Sequence, residues 1–253
     1  MTVKIRVMPT LLFRDVGLVK GVGFDSWRRT GSALQAIKVY NMREVDELVF
    51  LDIRATPDGR APDFTQVDEL ADECFMPMTV GGGVRNPDHI GGLLAVGADK
   101  VAINTAALKR PKLIEEGALR YGTQCIVVSI DVLRHLDGRL EVMSECGRLP
   151  TGRDPVEWAR EVEALGAGEI LLTSINRDGT FNGYDIPLTR AVVDAVKIPV
   201  IASGGCGNYQ HMADVLKEGK ADAVAAASIF HFTEQTPREA KVFLKAQGLH
   251  VRL

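Results

Sequence analysis

The sequence predicts an α/β fold, a single (β/α)8 TIM barrel over residues 1–253. Three observations predict it: eight short apolar runs alternate with longer amphipathic ones, the length of 253 residues suits one barrel, and one half of the chain echoes the other. The runs are Ile5 to Leu12, Glu47 to Asp52, Met78 to Gly81, Lys100 to Asn104, Cys125 to Asp131, Glu169 to Thr173, Val200 to Ser203 and Ala223 to Ala227. They are rich in Val and Ile and nearly continuous in apolar character, which suits strands of a parallel sheet buried on both faces. Between them, Pro87 to Val96, Pro111 to Arg120, Asp154 to Leu165, Asp185 to Val196 and Tyr209 to Glu218 carry helical periodicity, often behind a Pro, Asp or Asn. Eight strand–helix units close most naturally into a barrel, although composition alone also admits a doubly wound sheet. The half-barrels fall at roughly 1–122 and 123–253, in one domain.

The repeat pairs TVGGGVRNPDHIGGLLAVGADKVAINTAA, from Thr79, with IASGGCGNYQHMADVLKEGKADAVAAASI, from Ile201. Each copy has a Gly-Gly turn after a strand, an Asn, a His, an apolar helix face and another strand. Glycine after a strand lets the backbone approach a ligand, and the following helix presents N–H groups to an anion. Gly82 with Gly83 and Gly204 with Gly205 therefore read as two phosphate sites, closed by Asn104-Thr105 and Ala227-Ser228. The same pairs also suit plain tight turns.

With 30 basic and 33 acidic side chains, the net charge is −3 and no field draws the chain to nucleic acid or an anionic membrane. No run approaches the ~18 to 20 apolar residues that span a bilayer, and Met1 to Lys4 has no signal-peptide core, so a cytoplasmic protein is expected. Cys74, Cys125, Cys146 and Cys206 show no C-x-x-C or Cys/His spacing, and read as reduced thiols, mostly core filler. No metal or organic cofactor is expected.

In this fold chemistry sits where strands end. The polar residues there are Asp52, Asn104, Asp131, Ser174, Asn176, Asp178 and Ser203. Asp131, after a very apolar strand, suits a general acid or base with a desolvated carboxyl, or a loop cap. Asp178-Gly179 suits a ligand contact or an ordinary turn. Strand one ends on Leu12, which moves no proton. Phe13 to Gly31 reads as a mobile loop with Lys20, Arg28 and Arg29 able to fold over a phosphorylated ligand, or as a solvated surface loop. At the opposite end four strands begin with charges: Arg6, Glu47, Lys100 and Glu169. They either face water or meet inside the barrel floor as a neutral ring.

Together DELVFLDI (46–53), TVGGGVRN (79–86), GADKVAINTAA (97–107), GAGEILLTS (166–174), RDGT (177–180), IASGG (201–205), AASIFHF (226–232) and the final VRL resemble the cyclase subunit of imidazole glycerol phosphate synthase, HisF, across essentially the whole chain. The resemblance implies a glutaminase (HisH-like) partner on the barrel floor and ammonia passing a gate of Arg6, Glu47, Lys100 and Glu169 to a substrate with two phosphates. It also implies ligand positions at Lys20, Gly82, Asn104, Asp178, Gly179, Gly205 and Ser228, to which the repeat adds Thr105, Gly204 and Ala227, and a catalytic role for Asp131. The family's first catalytic aspartate belongs to a Cys-Leu-Asp motif that reads Thr10-Leu11-Leu12 here. Gly23 stands where asparagine is usual and Asn176 where aspartate is usual. The leading expectation is therefore a divergent HisF paralogue that conducts ammonia, with a third amidotransferase protein amidating a nucleotide-linked amino sugar for lipopolysaccharide. The alternatives are a true histidine-pathway cyclase relying on Asp131, and a non-catalytic sensor of a phosphorylated metabolite.

Overall fold

A computed structural model describes residues 4–253. The strands are β1 (Arg6–Arg14), β2 (Gly17–Val22), β3 (Asp25–Gly31), β4 (Leu48–Asp52), β5 (Met78–Gly81), β6 (Lys100–Ile103), β7 (Ile126–Arg134), β8 (Leu140–Ser144), β9 (Leu149–Pro150), β10 (Glu169–Ser174), β11 (Val200–Ser203) and β12 (Ala223–Ala226). Eight of them, in the order β10-β11-β12-β1-β4-β5-β6-β7, pair with their neighbours, and a parallel β10–β7 ladder closes the circle. The barrel reading holds and the open-sheet alternative does not, because an open sheet would leave β7 and β10 as unpaired edges.

The helices are α1 (Ala33–Met42), α2 (Phe64–Ala71), α3 (Pro87–Ala95), α4 (Thr105–Lys109), α5 (Lys112–Tyr121), α6 (Pro155–Ala164), α7 (Ile186–Val193), α8 (Tyr209–Lys217), α9 (Ser228–Phe232) and α10 (Pro237–Ala246). Outward strand residues such as Phe50, Val101 and Ile170 pack with helix residues such as Ile37, Ile90 and Trp158 in one large core. Inward residues Met8, Val49, Ala102, Val127, Leu171, Ile201, Ala223 and Ala225 form a second, axial cluster. No helix among the described residues is long and apolar enough to cross a membrane.

The repeat recurs in bonding. Asn86 caps α3 by accepting from His89 N at 2.9 Å, and Asn208 caps α8 by accepting from His211 N at 2.9 Å. Below, Met78 N donates to Asp99 at 2.8 Å and Val200 N to Asp222 at 2.9 Å. Each pair ties the start of one strand to the residue entering the next, so both halves position their glycine turns by the same device.

One expectation fails. Residues 13–31 are not a loop: β1 continues to Arg14, turns at Asp15 with φ 58°, and returns as β2 and β3 in an antiparallel hairpin. Pairing of Leu12 with Val19 and Phe13 with Leu18 extends the barrel strand upward. Arg28 and Arg29 point to solvent, whereas Lys20 is buried. The second hairpin-like excursion, β7–β8–β9, also rises above the barrel top.

Candidate functional site

Inward side chains follow two-residue steps up each strand. On β1 these are Arg6, Met8, Thr10 and Leu12; on β10 they are Glu169, Leu171 and Thr173. The steps order the axis into charges at the floor, an apolar collar, and polar groups facing one large cavity at the strand ends.

At the floor the four charges meet. Arg6 contacts Glu47 at 2.6 Å and Glu169 at 2.9 Å, while Lys100 contacts Glu47 at 3.0 Å and Glu169 at 3.1 Å. Each cation thus bridges both anions, and the ring is neutral. Burial pulls the Arg6 guanidinium toward neutrality, but Glu169 and Glu47 outweigh that and raise its pKa above the usual value. Glu47 is the fixed member: its side chain is only 3% exposed and also accepts from the Thr79 hydroxyl at 2.9 Å. The neighbouring Asp46 accepts from Val7 N at 3.1 Å and from the buried Lys241 of α10 at 3.1 Å, which holds β1 and β4 together directly beside Arg6 and Glu47. Thr79, Asp46 and Lys241 escaped the sequence reading; alternation along β5 could have found Thr79, but nothing local signals a lysine on the last helix.

Around the cavity, Gly82, Gly83, Gly204 and Gly205 all have φ between 73° and 111°. A Cβ on Gly82 would lie 2.3 Å from Asp52 O, and one on Gly205 would lie 2.2 Å from Gly183 O. The glycines are thus required by both torsion and space. Gly82→Ala is expected to destabilise the chain by roughly 2 kcal/mol or more and to abolish binding of a bisphosphate, read by urea unfolding and titration calorimetry. Asn104, Thr105, Ala227 and Ser228 also line the cavity. Thr105 Oγ1 is already engaged, accepting from Glu145 N at 2.9 Å.

Asp131 is buried under this cavity. Asn104 Nδ2 donates to it at 2.7 Å, with Ser129 Oγ 3.5 Å away. Burial, assisted by the charge of Asp178, pushes its carboxyl up to about 7, against the smaller lowering from Ser129 and Asn104. It takes no part in capping the following segment, since β7 runs straight on to Arg134. Facing the same cavity is Leu12, together with Thr10, Leu51, Ala102 and Leu171. The buried atoms Thr10 Oγ1 and Asn104 Oδ1, on residues that line the cavity, have no hydrogen-bond partner among the described residues.

Lys20 and Asp178 line the cavity but are committed to each other: Lys20 Nζ lies 2.7 and 2.6 Å from the two carboxylate oxygens. Gly23 N donates to Asp178 O at 2.9 Å, and a Cβ on Gly179 would lie 2.2 Å from Gly21 O, so the hairpin rests on the Asp178-Gly179 turn. Lys20 therefore sits as a tether, not as the free cation of a mobile loop. Ser203 lines the cavity; Asp52 lines it while accepting from the N–H groups of Arg54 and Ala55. Ser174 is buried away from it, and Asn176 turns outward to bracket the backbone of Arg134 at 2.7 and 3.1 Å. The cysteines depart from the expectation of core filler. They are free, but only Cys206 is fully buried, and Cys146 lines the cavity with burial pushing its thiol up to about 12. Among the described residues no three His, Cys, Asp or Glu side chains could hold a metal ion.

The family model described as histidine biosynthesis protein matches residues 6–236. The chain belongs to the histidine biosynthesis protein family. The match runs from the first floor charge, Arg6, to the N-cap of α10, and so takes in the ring, both glycine turns and Asp131. In this HisF/HisA-like barrel, strand one delivers an apolar side chain, Leu12, to the cavity.

Proposed function

We propose that this chain is the barrel subunit of a glutamine amidotransferase complex, receiving ammonia from a glutaminase docked on its floor and passing it up the axis. The observation that carries the reading is the four-member ion ring across the axis. Removing ions from water costs several kcal/mol each, and a floor with only structural duties is as well filled by apolar side chains. A neutral ring of alternating charge blocks water and ions while its contacts hold, and opens when one long side chain swings aside. The collar of Met8, Val49, Ala102, Val127 and Leu171 above it admits neutral ammonia far more readily than ammonium, because a charge there loses its hydration without a partner.

At the cavity, Asp131 is a group able to give and take a proton near neutrality, but Leu12 gives it no second acid or base. We therefore place the final use of ammonia outside histidine-pathway cyclisation. The acceptor we propose, a nucleotide-linked amino sugar held by a third protein for lipopolysaccharide synthesis, rests on the resemblance to HisF paralogues of that kind. A cyclase working through Asp131 alone is the second reading, favoured by its carboxyl at about 7.

The test supplies the bisphosphate ribulosyl intermediate of histidine synthesis and saturating ammonium salt to the purified chain and to Leu12→Asp. The unmodified chain is expected to be inactive, and the variant to gain ~10²-fold or more over it. Alongside, a co-expressed glutaminase from the same organism is expected to hydrolyse glutamine only with the barrel present. Turnover by the unmodified chain selects the cyclase; glutaminase activity indifferent to the barrel overturns the amidotransferase reading.

A further inference from the structure

The cavity wall holds arginine side chains that the two glycine turns leave unused, beside the carboxylates Asp52, Asp131 and Asp178. Four cations line it: Arg14, Lys20, Arg54 and Arg148. Lys20 is neutralised by Asp178, and Arg14 lies 3.5 Å from Asp15 at the exposed hairpin base. Arg54 gives one terminal nitrogen to Asp58 at 2.7 Å, yet its Nε is buried and bonds to nothing among the described residues. Arg148 contacts no carboxylate among the described residues, and its charge is felt at the Cys146 thiol.

The backbone brings these two arginines to the same side of the cavity. Cys146 Sγ donates to Ile53 O at 3.3 Å, so the turn bearing Arg148 is fastened to the residue preceding Arg54. Glu145 N, bonded to Thr105, fastens that turn to the first cradle as well. Glu145, Cys146 and Gly147 have φ values of 50°, 58° and 78°, three left-handed residues in succession, two of them not glycine. They form the turn of the β8–β9 hairpin, in which Ser144 pairs with Leu149, and left-handed residues match the twist of such a turn. From its last position the exposed Arg148 lines the cavity.

We propose that Arg54 and Arg148 form a third anion subsite, so that the pocket takes a ligand carrying a carboxylate or similar oxyanion in addition to two phosphates. The inference rests on the reading of the glycine turns as phosphate cradles. Guanidinium groups match a planar carboxylate with paired N–H donors, which the Arg148 head and the Arg54 Nη1, the terminal nitrogen not given to Asp58, can supply from the cavity wall.

The test compares D-ribulose 1,5-bisphosphate with 2-carboxy-D-arabinitol 1,5-bisphosphate, which keeps two phosphates and adds a carboxylate, by titration calorimetry on the whole chain. The carboxylated probe is expected to bind ~10-fold more tightly or better. Arg148→Met and Arg54→Met are each expected to erase that preference while changing affinity for ribulose bisphosphate by less than ~3-fold. Arg148 is exposed, so its replacement leaves folding intact. Equal affinity for the two probes, or equal weakening of both by the replacements, overturns the third subsite and leaves the cradles standing. Failure of the natural chain to bind either probe overturns the cradles and the subsite with them.

Discussion

Glu47→Gln is expected to lower the stability of this barrel by about 2–3 kcal/mol and to uncouple its floor from its cavity. Glu47 receives Arg6, Lys100 and Thr79, and it is the least exposed member of the ring. Removing one partner of a buried pair costs ~3–5 kcal/mol, discounted here because the Arg6 and Lys100 side chains are 20% and 18% exposed and regain water. The ring would pass from neutral to a net positive charge, with two cations competing for Glu169. Tethered on one side only, Arg6 and Lys100 would no longer seal the axis. In the proposed complex with a glutaminase, the fraction of glutamine nitrogen reaching the acceptor should fall while glutamine hydrolysis continues. Urea unfolding gives the first quantity, and ¹⁵N-amide glutamine with excess unlabelled ammonium the second. A Thr79→Val change, which removes one neutral donor, should cost only ~1 kcal/mol and leave transfer in place. Unchanged unfolding and transfer in Glu47→Gln would mean that the ring neither holds the floor nor guards it.

How much of this was legible beforehand depends on whether period two reaches the residue. Arg6 and Leu12, or Lys100 and Asn104, are an even number of steps apart, so floor and cavity groups could be matched strand by strand. The repeated Gly-Gly turns were legible because both torsion and space demand glycine there. The hairpin was not. Its β pairing depends on Asp15 taking a left-handed conformation and on Lys20 finding Asp178, a partner far along the chain, while its glycines and charges look like a loop. The same blindness hid the neighbourhood of Arg54 and Arg148, whose segments are joined by a Cys146–Ile53 contact between distant parts of the chain. Asn176 was read as facing the cavity because it follows a strand end, but an amide can satisfy itself on the Arg134 backbone and does.

Asp131 makes the chain's pH dependence specific. Its carboxyl is held at about 7 in the folded protein against an ordinary value of 3.8. Between these values the native state keeps a proton that the unfolded chain has released, so stability falls as pH rises through this window and is level above it. Each unit of difference corresponds to ~1.4 kcal/mol, and relaxation around the ionised group trims the total, which leaves roughly 2–4 kcal/mol. Asp131→Asn, which can still accept from Asn104, should therefore match the natural chain near pH 4 and exceed it by that amount at pH 8. The measurement is urea unfolding across pH 4 to 8, where a slope shared by both proteins would place the titration elsewhere. A core position that only filled space would have shed this penalty by taking the amide. Leu12 shows that a strand end facing the same cavity can carry an apolar side chain, so a carboxyl kept at Asp131 fits the proposed role of a group that loses and regains a proton near neutrality. Binding a phosphorylated ligand brings further negative charge to the same cavity, and the window is expected to move upward when a bisphosphate is present.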